Sequence, residues 1–168
     1  MTFDPADRAA LKSLLLIIFF TGDQDDTSCN EYHVLNDPTR NLHYGNTDSL
    51  CDDTDDDTTS PDWQGPGWYR LGMPAGTTIP EEPVELNHCN TQATGWLNGN
   101  HPAPGNTIDA TVCFNGNGNT CKWQTQIQIK HCNEYFLYYL PDAPSCGLRY
   151  CSSTTTLIGI HMLNKGKN

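Results

Sequence analysis

The chain has 168 residues and a formal net charge of −11, and 36% of its residues are hydrophobic. This length suits one domain. The negative charge argues against nucleic acid and anionic membrane surfaces as partners, because both require clustered Lys and Arg. Eight cysteines without CxxC pairs favour disulfide bonds and an oxidising compartment. Buried free cysteines in a cytosolic protein are the alternative.

The N-terminus carries a short apolar run, LLLIIFF at residues 14–20, preceded by Arg8 and Lys12. The run is much shorter than the roughly 20 apolar residues that a membrane span needs. It is typical of a signal peptide, which we predict over residues 1–22, followed by an acidic leader over residues 23–28. The protein is therefore expected to be secreted and not membrane-spanning. An ordinary buried helix is the alternative.

An acidic loop of low complexity follows the first predicted strand, which lies around residues 32–35. The loop covers residues 48–62 and suits calcium in its chemistry, because hard cations take carboxylate oxygens. It lacks the EF-hand spacing, and a solvated, mobile loop is the more common meaning of such a run. The weak calcium candidates are Asp52, Asp53, Asp55, Asp56 and Asp57.

Short strand candidates occupy the middle of the chain and are separated by turn signals. They are Gly67–Gly72, Val84–Cys89, Gly95–Gly99 and Thr111–Phe114. The last is followed by N-G-N-G-N at residues 115–119, which suits a tight turn because Asn and Gly tolerate positive φ. This turn lies between Cys113 and Cys121, which favours a local disulfide across it.

The strongest pattern is a predicted hairpin near the C-terminal end of the cysteine-rich region. Residues 122–130 alternate strictly, which predicts a half-buried strand with Trp123, Thr125, Ile127 and Ile129 on one face. Residues 135–140 are aromatic or apolar at both odd and even positions, so this strand is expected to be more deeply buried. No convincing helix appears after the signal. The chain is thus predicted to be all-β, with small, loop-rich antiparallel sheets stapled by disulfides.

Catalytic motifs are not visible. The six histidines are scattered, neither HExxH nor GxSxG occurs, and no carboxylate pair suited to hydrolysis can be picked out. We therefore expect a protein that is not an enzyme and that uses no cofactor.

The cysteine spacing occurs together with two aromatic motifs, W-Y-R at 68–70 and W-L-N-G at 96–99, the second followed by His101-Pro102. In this combination the region 29–151 resembles the eight-cysteine domain of the family of uromodulin and the zymogen-granule membrane glycoprotein. We expect that domain over residues 29–151. A Ser/Thr-rich linker and a mobile tail would follow over residues 152–168.

Disulfide pairing does not follow from the sequence alone, because eight cysteines allow 105 connectivities. The resemblance implies one of them. It pairs Cys29 with Cys132, Cys51 with Cys146, Cys89 with Cys151, and Cys113 with Cys121.

The resemblance implies an extracellular recognition module. Family members act as decoys for bacterial fimbriae through N-glycans, which require N-x-S/T sequons. This chain has none, and only poor N-x-C acceptors remain at Asn87 and Asn119. The prediction is therefore a secreted, non-catalytic module that binds an extracellular protein or glycan. The alternatives are a structural spacer in a longer zona-pellucida or EGF-containing protein and, less favoured, a hydrolase.

Exposed aromatic residues would be the natural contacts of such a module. The candidates are Trp96, Asn98 and His101 in a Gly/Pro-rich loop region, together with Trp68 and Tyr69. A tryptophan in a short strand of a small protein is nevertheless more often a core residue than a contact.

Overall fold

The computed structural model describes residues 29–154. The chain divides into a unit over residues 1–30 and a second unit from residue 31 onward, and the account below concerns the second unit. The predicted signal peptide, the acidic leader and most of the predicted linker and tail lie outside the described residues.

Seven strands form one sheet in the order β1-β2-β6-β5-β4-β3-β7. The strands are β1 (His33–Leu35), β2 (Gly67–Leu71), β3 (Ala93–Leu97), β4 (Thr107–Gly116), β5 (Asn119–Cys132), β6 (Tyr135–Leu140) and β7 (Leu148–Tyr150). The pairs β1/β2 and β3/β7 are parallel and the others are antiparallel. The all-β prediction is confirmed, although one mixed sheet takes the place of several small antiparallel ones.

The predicted hairpin is present as β5 and β6, which pair antiparallel from Gln128–Tyr139 to Cys132–Tyr135. Ile127 and Ile129 are buried on the face that alternation predicted. In contrast, the predicted strand Val84–Cys89 is a loop. Positive φ at Asn87 and Cys89, at 59° and 55°, is incompatible with an extended strand there.

The main hydrophobic core covers one face of the sheet. Register places Tyr69 opposite Tyr138, and Tyr138 opposite Ile129, so one row of core side chains crosses three strands. The Trp63 ring, from the loop before β2, stacks on Tyr69 with ring centroids 4.8 Å apart. Burial of this row fixes which side chains of each strand point to the opposite face.

The opposite face is covered near β3 and β7, which we call the covered end, and it also buries Leu137 of β6 and Cys132 of β5. A second, smaller core lies at the covered end, built from Val84, Cys89, Trp96, Cys113 and Cys151. Two disulfides belong to it, Cys89–Cys151 and Cys113–Cys121. Both are pairs that the family resemblance implies.

A buried charge network also lies at the covered end. The guanidinium of Arg40, which is fully buried, donates to both carboxylate oxygens of Asp52 at 2.7 Å and to Asp62 at 2.6 Å. Arg149, equally buried, donates to Asp37 at 2.9 Å. Asp52 also accepts from the backbone N–H of Tyr150 in β7. The network therefore ties the segment from residue 37 to residue 62 to the edge strand.

The structure brings the fourth implied pair together without a bond between the two sulfurs. The Sγ atoms of Cys51 and Cys146 lie 2.9 Å apart, whereas a disulfide bond is about 2.05 Å long, so this pairing stays a prediction. The hydroxyl of Thr58 lies 3.5 Å from one sulfur and 3.3 Å from the other. Cys29 and Cys132 are each disulfide-bonded, and their pairing with each other stays a prediction.

Candidate binding face

The middle of the second sheet face carries a row of exposed side chains, which we call the open face. The register pairs Trp68 of β2 with Tyr139 of β6, Tyr139 with Gln128 of β5, and Gln128 with Asp109 of β4. Directly paired residues of antiparallel strands point to the same face. The four side chains therefore form one straight line across four strands, and with Gln126 they line a shallow groove of about 640 Å³.

The aromatic half of the open face is Trp68 and Tyr139. Tyr139 is 41% exposed and Trp68 is half-buried, and their rings meet edge to face at 5.7 Å and 71°. Their strand neighbours Tyr69 and Tyr138 are fully buried in the main core. The two exposed rings thus stand on a packed base, which limits the entropy that they would lose on binding.

The polar half of the open face consists of side chains held by hydrogen bonds. Gln128 Nε2 donates to Asp109 Oδ1 at 3.0 Å, and Gln126 Nε2 donates to Thr111 Oγ1 at 3.0 Å. Each carboxamide or carboxylate can form more bonds than these. The face therefore combines apolar ring surface with oriented donors and acceptors, which suits a flat polar ligand such as a peptide edge or a sugar.

Three of the five predicted contact residues lie elsewhere. Tyr69 is 0% exposed, and its hydroxyl donates to the backbone oxygen of Gly65, so it is a core residue. Trp96 is 8% exposed in the second core, where its Nε1 donates to the Thr120 carbonyl at 2.7 Å. His101 packs on the core side of β6, against Phe136 and Tyr138. These positions correct the expectation of an exposed aromatic cluster.

The remaining two predicted contacts are at the surface but not together. Asn98 is exposed, and its backbone N–H donates to Thr111 of β4. Trp68 is the only predicted contact residue that belongs to the open face.

His101 takes part in an internal hydrogen-bonded chain. Its Nδ1 lies 2.6 Å from Glu81, and its Nε2 lies 2.8 Å from the hydroxyl of Tyr138. Burial lowers the pKa of His101 despite the charge of Glu81, which favours the neutral ring. Burial raises the pKa of Tyr138 far above its usual value, and its hydroxyl also accepts from the Ile79 N–H. This chain therefore orders the loop before β4 and offers no activated nucleophile.

The acidic loop does not gather its five candidate carboxylates. Asp52 is buried and bound to Arg40, Asp53 accepts from its own loop at the Asp55 N–H, and Asp56 accepts from Thr58. Within residues 29–154, the one cluster of potential metal ligands joins Asp56 to Cys51 and Cys146 instead. Burial raises the pKa of the Cys146 thiol to about 12. Soft metals bind the thiolate form, so metal binding there would release this proton.

Several residues of the open face were not predicted from the sequence. The alternation of β5 predicted that Gln126 and Gln128 would face water. It could not show that Asp109 and Tyr139 would flank Gln128, or that Trp68, sixty residues earlier, would complete the row. That information resides in the strand order, because β6 is inserted between β2 and β5.

Comparison with known proteins identifies the family. The family model of the uromodulin-like cysteine-rich domain matches residues 69–152, which is 84 of the 168 residues. The chain belongs to this family of cysteine-rich domains.

Curated relatives agree with this assignment. The Mus musculus protein named pancreatic secretory granule membrane major glycoprotein GP2 is 39% identical over 133 residues, covering 76% of this chain and 23% of the relative. Its Homo sapiens counterpart is 35% identical over 126 residues, covering 74% and 22%. Uromodulin of Rattus norvegicus is 33% identical over 133 residues, covering 78% and 19%.

The chain spans about a fifth of the length of these curated relatives. In the part of the chain that the structure describes, no helix is long and apolar enough to cross a membrane.

Proposed function

We propose that this chain is a secreted, non-catalytic recognition module that binds an extracellular protein or carbohydrate through the open face. The single observation that carries the proposal is the row Trp68–Tyr139–Gln128–Asp109. This row places two aromatic rings and oriented polar groups at the surface of a domain that disulfide bonds stabilise elsewhere. Membership of a family whose relatives bear the names of secretory granule membrane glycoprotein and uromodulin supports the extracellular setting.

Two features of the molecule favour recognition over catalysis. The groove is shallow and lies on a flat sheet, and its titratable groups are the carboxylate of Asp109 and the phenol of Tyr139. Acid–base or nucleophilic catalysis needs paired groups within hydrogen-bonding reach of a substrate, and the row has no base beside a nucleophile. A mixture of aromatic and amide side chains is instead typical of surfaces that bind peptides and sugars.

The test is binding of the secreted, fluorescently labelled protein, presented as a tetramer, to cultured epithelial cells. The double variant Trp68→Ala/Tyr139→Ala is expected to lose binding. The matched control is Tyr44→Ala, because Tyr44 is 40% exposed, close to the 41% of Tyr139, but lies outside the groove. Unchanged binding by the double variant would refute the open face as the contact.

Enzymatic treatment of the cells separates the two partner classes. Loss of binding after mild trypsin treatment, with no effect of endoglycosidases, would indicate a protein partner. Loss after endoglycosidases that leave cell-surface protein intact would indicate a carbohydrate. Persistence after both treatments would contradict both classes.

A structural spacer in a longer extracellular protein is the second candidate function. The observation that favours it is that this chain corresponds to only 19–23% of each relative. A spacer predicts that neither the double variant nor the wild type binds cells. The same experiment therefore distinguishes the two.

A further inference from the structure

A second groove, distinct from the open face, lies at the tip of the β4–β5 hairpin; we call it the hairpin groove. Its volume is about 430 Å³, within the range of small-ligand sites. Three segments that are far apart in sequence form its walls: the hairpin tip, the approach to β3 around Asn87 and Gln92, and the turn from Ser145 to Leu148.

The polar lining of the hairpin groove consists of carboxamides. Asn87, Gln92 and Asn117 are exposed, and their side chains form no hydrogen bond with another of the residues 29–154. The half-buried Asn115 donates through Nδ2 to the Val84 carbonyl at 2.9 Å, which fixes its orientation and leaves Oδ1 as an acceptor. A primary carboxamide offers two donors and an acceptor, so the four together suit a ligand with several hydroxyl groups.

The aromatic wall is Trp123, which is held in place by the hairpin backbone. A Cβ atom at Gly116 would come within 2.6 Å of the Trp123 ring and of Lys122 Cδ. The absence of a side chain at Gly116 is thus what allows the indole to lie against the hairpin. The Lys122 ammonium lies 4.2 Å from the centre of the Trp123 ring. A cation–π contact of this kind positions the cation without neutralising its charge.

The charge of the hairpin groove is opposite to that of the protein. The chain carries 20 Asp and Glu against 9 Lys and Arg, yet the lining has no acidic side chain and includes Lys122. Among the described residues no carboxylate forms an ion pair with Lys122. The open face contains Asp109, and the groove beside Leu42 contains Glu82 and Glu85. Only the hairpin groove, of these three, is complementary to an anion.

We propose that the hairpin groove binds a carboxylated sugar, such as a uronate or a sialic acid. The carboxylate pairs with the Lys122 ammonium, the hydroxyl groups bond with the carboxamides of Asn87, Gln92 and Asn117, and the apolar ring face contacts the rim formed by Trp123. This site is separate from the open face, and the proposal does not depend on whether the open face binds a partner.

The test uses ¹⁵N-labelled protein secreted with its disulfides formed, titrated separately with glucuronic acid and N-acetylneuraminic acid, and followed by amide chemical shifts. Shifts are expected at the hairpin tip and at residues 145–148 with either or both acids. Glucose, which has no carboxylate, should bind about tenfold more weakly or worse, because it lacks a charge-assisted bond. A difference between the two acids identifies which acidic sugar the groove prefers.

Two matched variants distinguish the effect of a positive charge in the hairpin groove from the effect of the net charge of the protein. Lys122→Gln should weaken binding of the acid about tenfold, whereas Lys130→Gln, at the other end of the same strand and with the same change of net charge, should leave it unchanged. Gln92→Ala tests the carboxamides and should weaken the acid and glucose alike, because both present hydroxyl groups.

Four results would overturn the proposal. They are equal affinity for glucose and both acids, equal effects of the two lysine variants, shifts confined to the open face, or no shift with any of the sugars. Shifts confined to the open face would support the proposed recognition function while refuting this second site. Loss of cell binding by the open-face variant, with sugar binding at the hairpin tip retained, would establish the two sites as independent.

Discussion

Two tryptophans on the same face of the sheet differ in their exposure to solvent. The register pairs Trp96 with Cys113. Cys113 and Asp109 are an even number of residues apart in β4 and therefore point to the same face, which is the face of Trp68. Trp96 and Trp68 thus lie on one side of the sheet. Trp96 is 8% exposed beneath the segments of the covered end, whereas Trp68 remains half-exposed on the open face. Alternation thus decides the face of a side chain, and the packing of other segments decides whether that face meets water.

The two regions also differ in what holds them. The covered end is stabilised by two disulfides and by fully buried Arg40 and Arg149 with their carboxylates. The open face has exposed rings, and its amides are held by one or two side-chain hydrogen bonds each. Substitutions should therefore cost stability at the covered end and cost binding at the open face.

The largest effect is expected from Arg40→Ala. Removal of the guanidinium leaves Asp52 and Asp62 with only the more distant Arg149, at 4.0 and 3.8 Å. Breaking a buried pair in this way costs about 3–5 kcal/mol of the free energy of unfolding. Urea unfolding of the secreted protein measures it. The control is Arg70→Ala, because Arg70 lies 4.1 Å from the centre of the Tyr135 ring and is only partly buried. Equal losses for the two variants would show that the buried network adds nothing.

The next effect concerns the two disulfides of the covered end, which differ in sequence separation, 62 residues for Cys89–Cys151 and 8 for Cys113–Cys121. In the chain-entropy model, replacing the first pair by serines costs about 4 kcal/mol and replacing the second costs about 2.5 kcal/mol. Each double variant is the control for the other, and chemical denaturation ranks them. The reverse order would show that local packing, and not loop closure, sets their contribution.

The same substitution at the two tryptophans compares the regions directly. Trp96→Phe removes the donor to the Thr120 carbonyl and leaves space in the second core, which together cost about 2 kcal/mol. Trp68→Phe, at a half-exposed position, should change the free energy of unfolding by about 0.5 kcal/mol or less. Thermal unfolding followed by near-UV circular dichroism measures both. A similar loss at the two positions would mean that Trp68 is a packing residue and not a contact.

The smallest effect appears only in acid. Burial alone would raise the pKa of Asp62, but hydrogen bonds and charge attraction from Arg40 outweigh it and hold the pKa below the usual 3.8. The unfolded chain therefore binds the proton more readily, and this stabilisation, present above about pH 4, is lost as the pH falls through the folded-state pKa. Melting temperatures between about pH 5 and pH 2 should fall less steeply in Asp62→Asn than in the wild type.

Asp109→Asn on the open face controls for the loss of one carboxylate in that experiment. An unchanged slope in Asp62→Asn would place the acid sensitivity outside the Arg40 network. Unfolding of Asp62→Asn at neutral pH is measured in parallel, because loss of the ion pair with Arg40 lowers the starting stability as well.

Local features of the fold were accessible from the sequence. Alternation over residues 122–130 predicted β5, its buried isoleucines and its wet glutamine face, because each depends only on the two-residue period of a strand. The loop at residues 84–89 was wrongly predicted as a strand. Val84 and Cys89 pack into the second core, and the segment forms only an isolated bridge between His88 and Gly45. The positive φ of Asn87 that ends any extended run is not visible in such a pattern.

The candidate site was less accessible for a different reason. Trp68 and Tyr69 are adjacent aromatic residues, and both were predicted as contacts. They differ because β2 pairs with β6, which sends Tyr69 into the core and Trp68 to the open face. A shift of one residue in that register would exchange them.

The sequence by itself therefore determined the all-β class, the expectation of disulfide bonds and the alternation of β5, since these depend on residue type and local period. The tertiary structure alone decided which tryptophan is buried, which aspartate binds Arg40, and that Trp68, Tyr139, Gln128 and Asp109 form one row. The physical reason is that these relations join residues tens of positions apart. Their distances are fixed by strand order, register and the segments that cover one end of the sheet, and no local pattern records those.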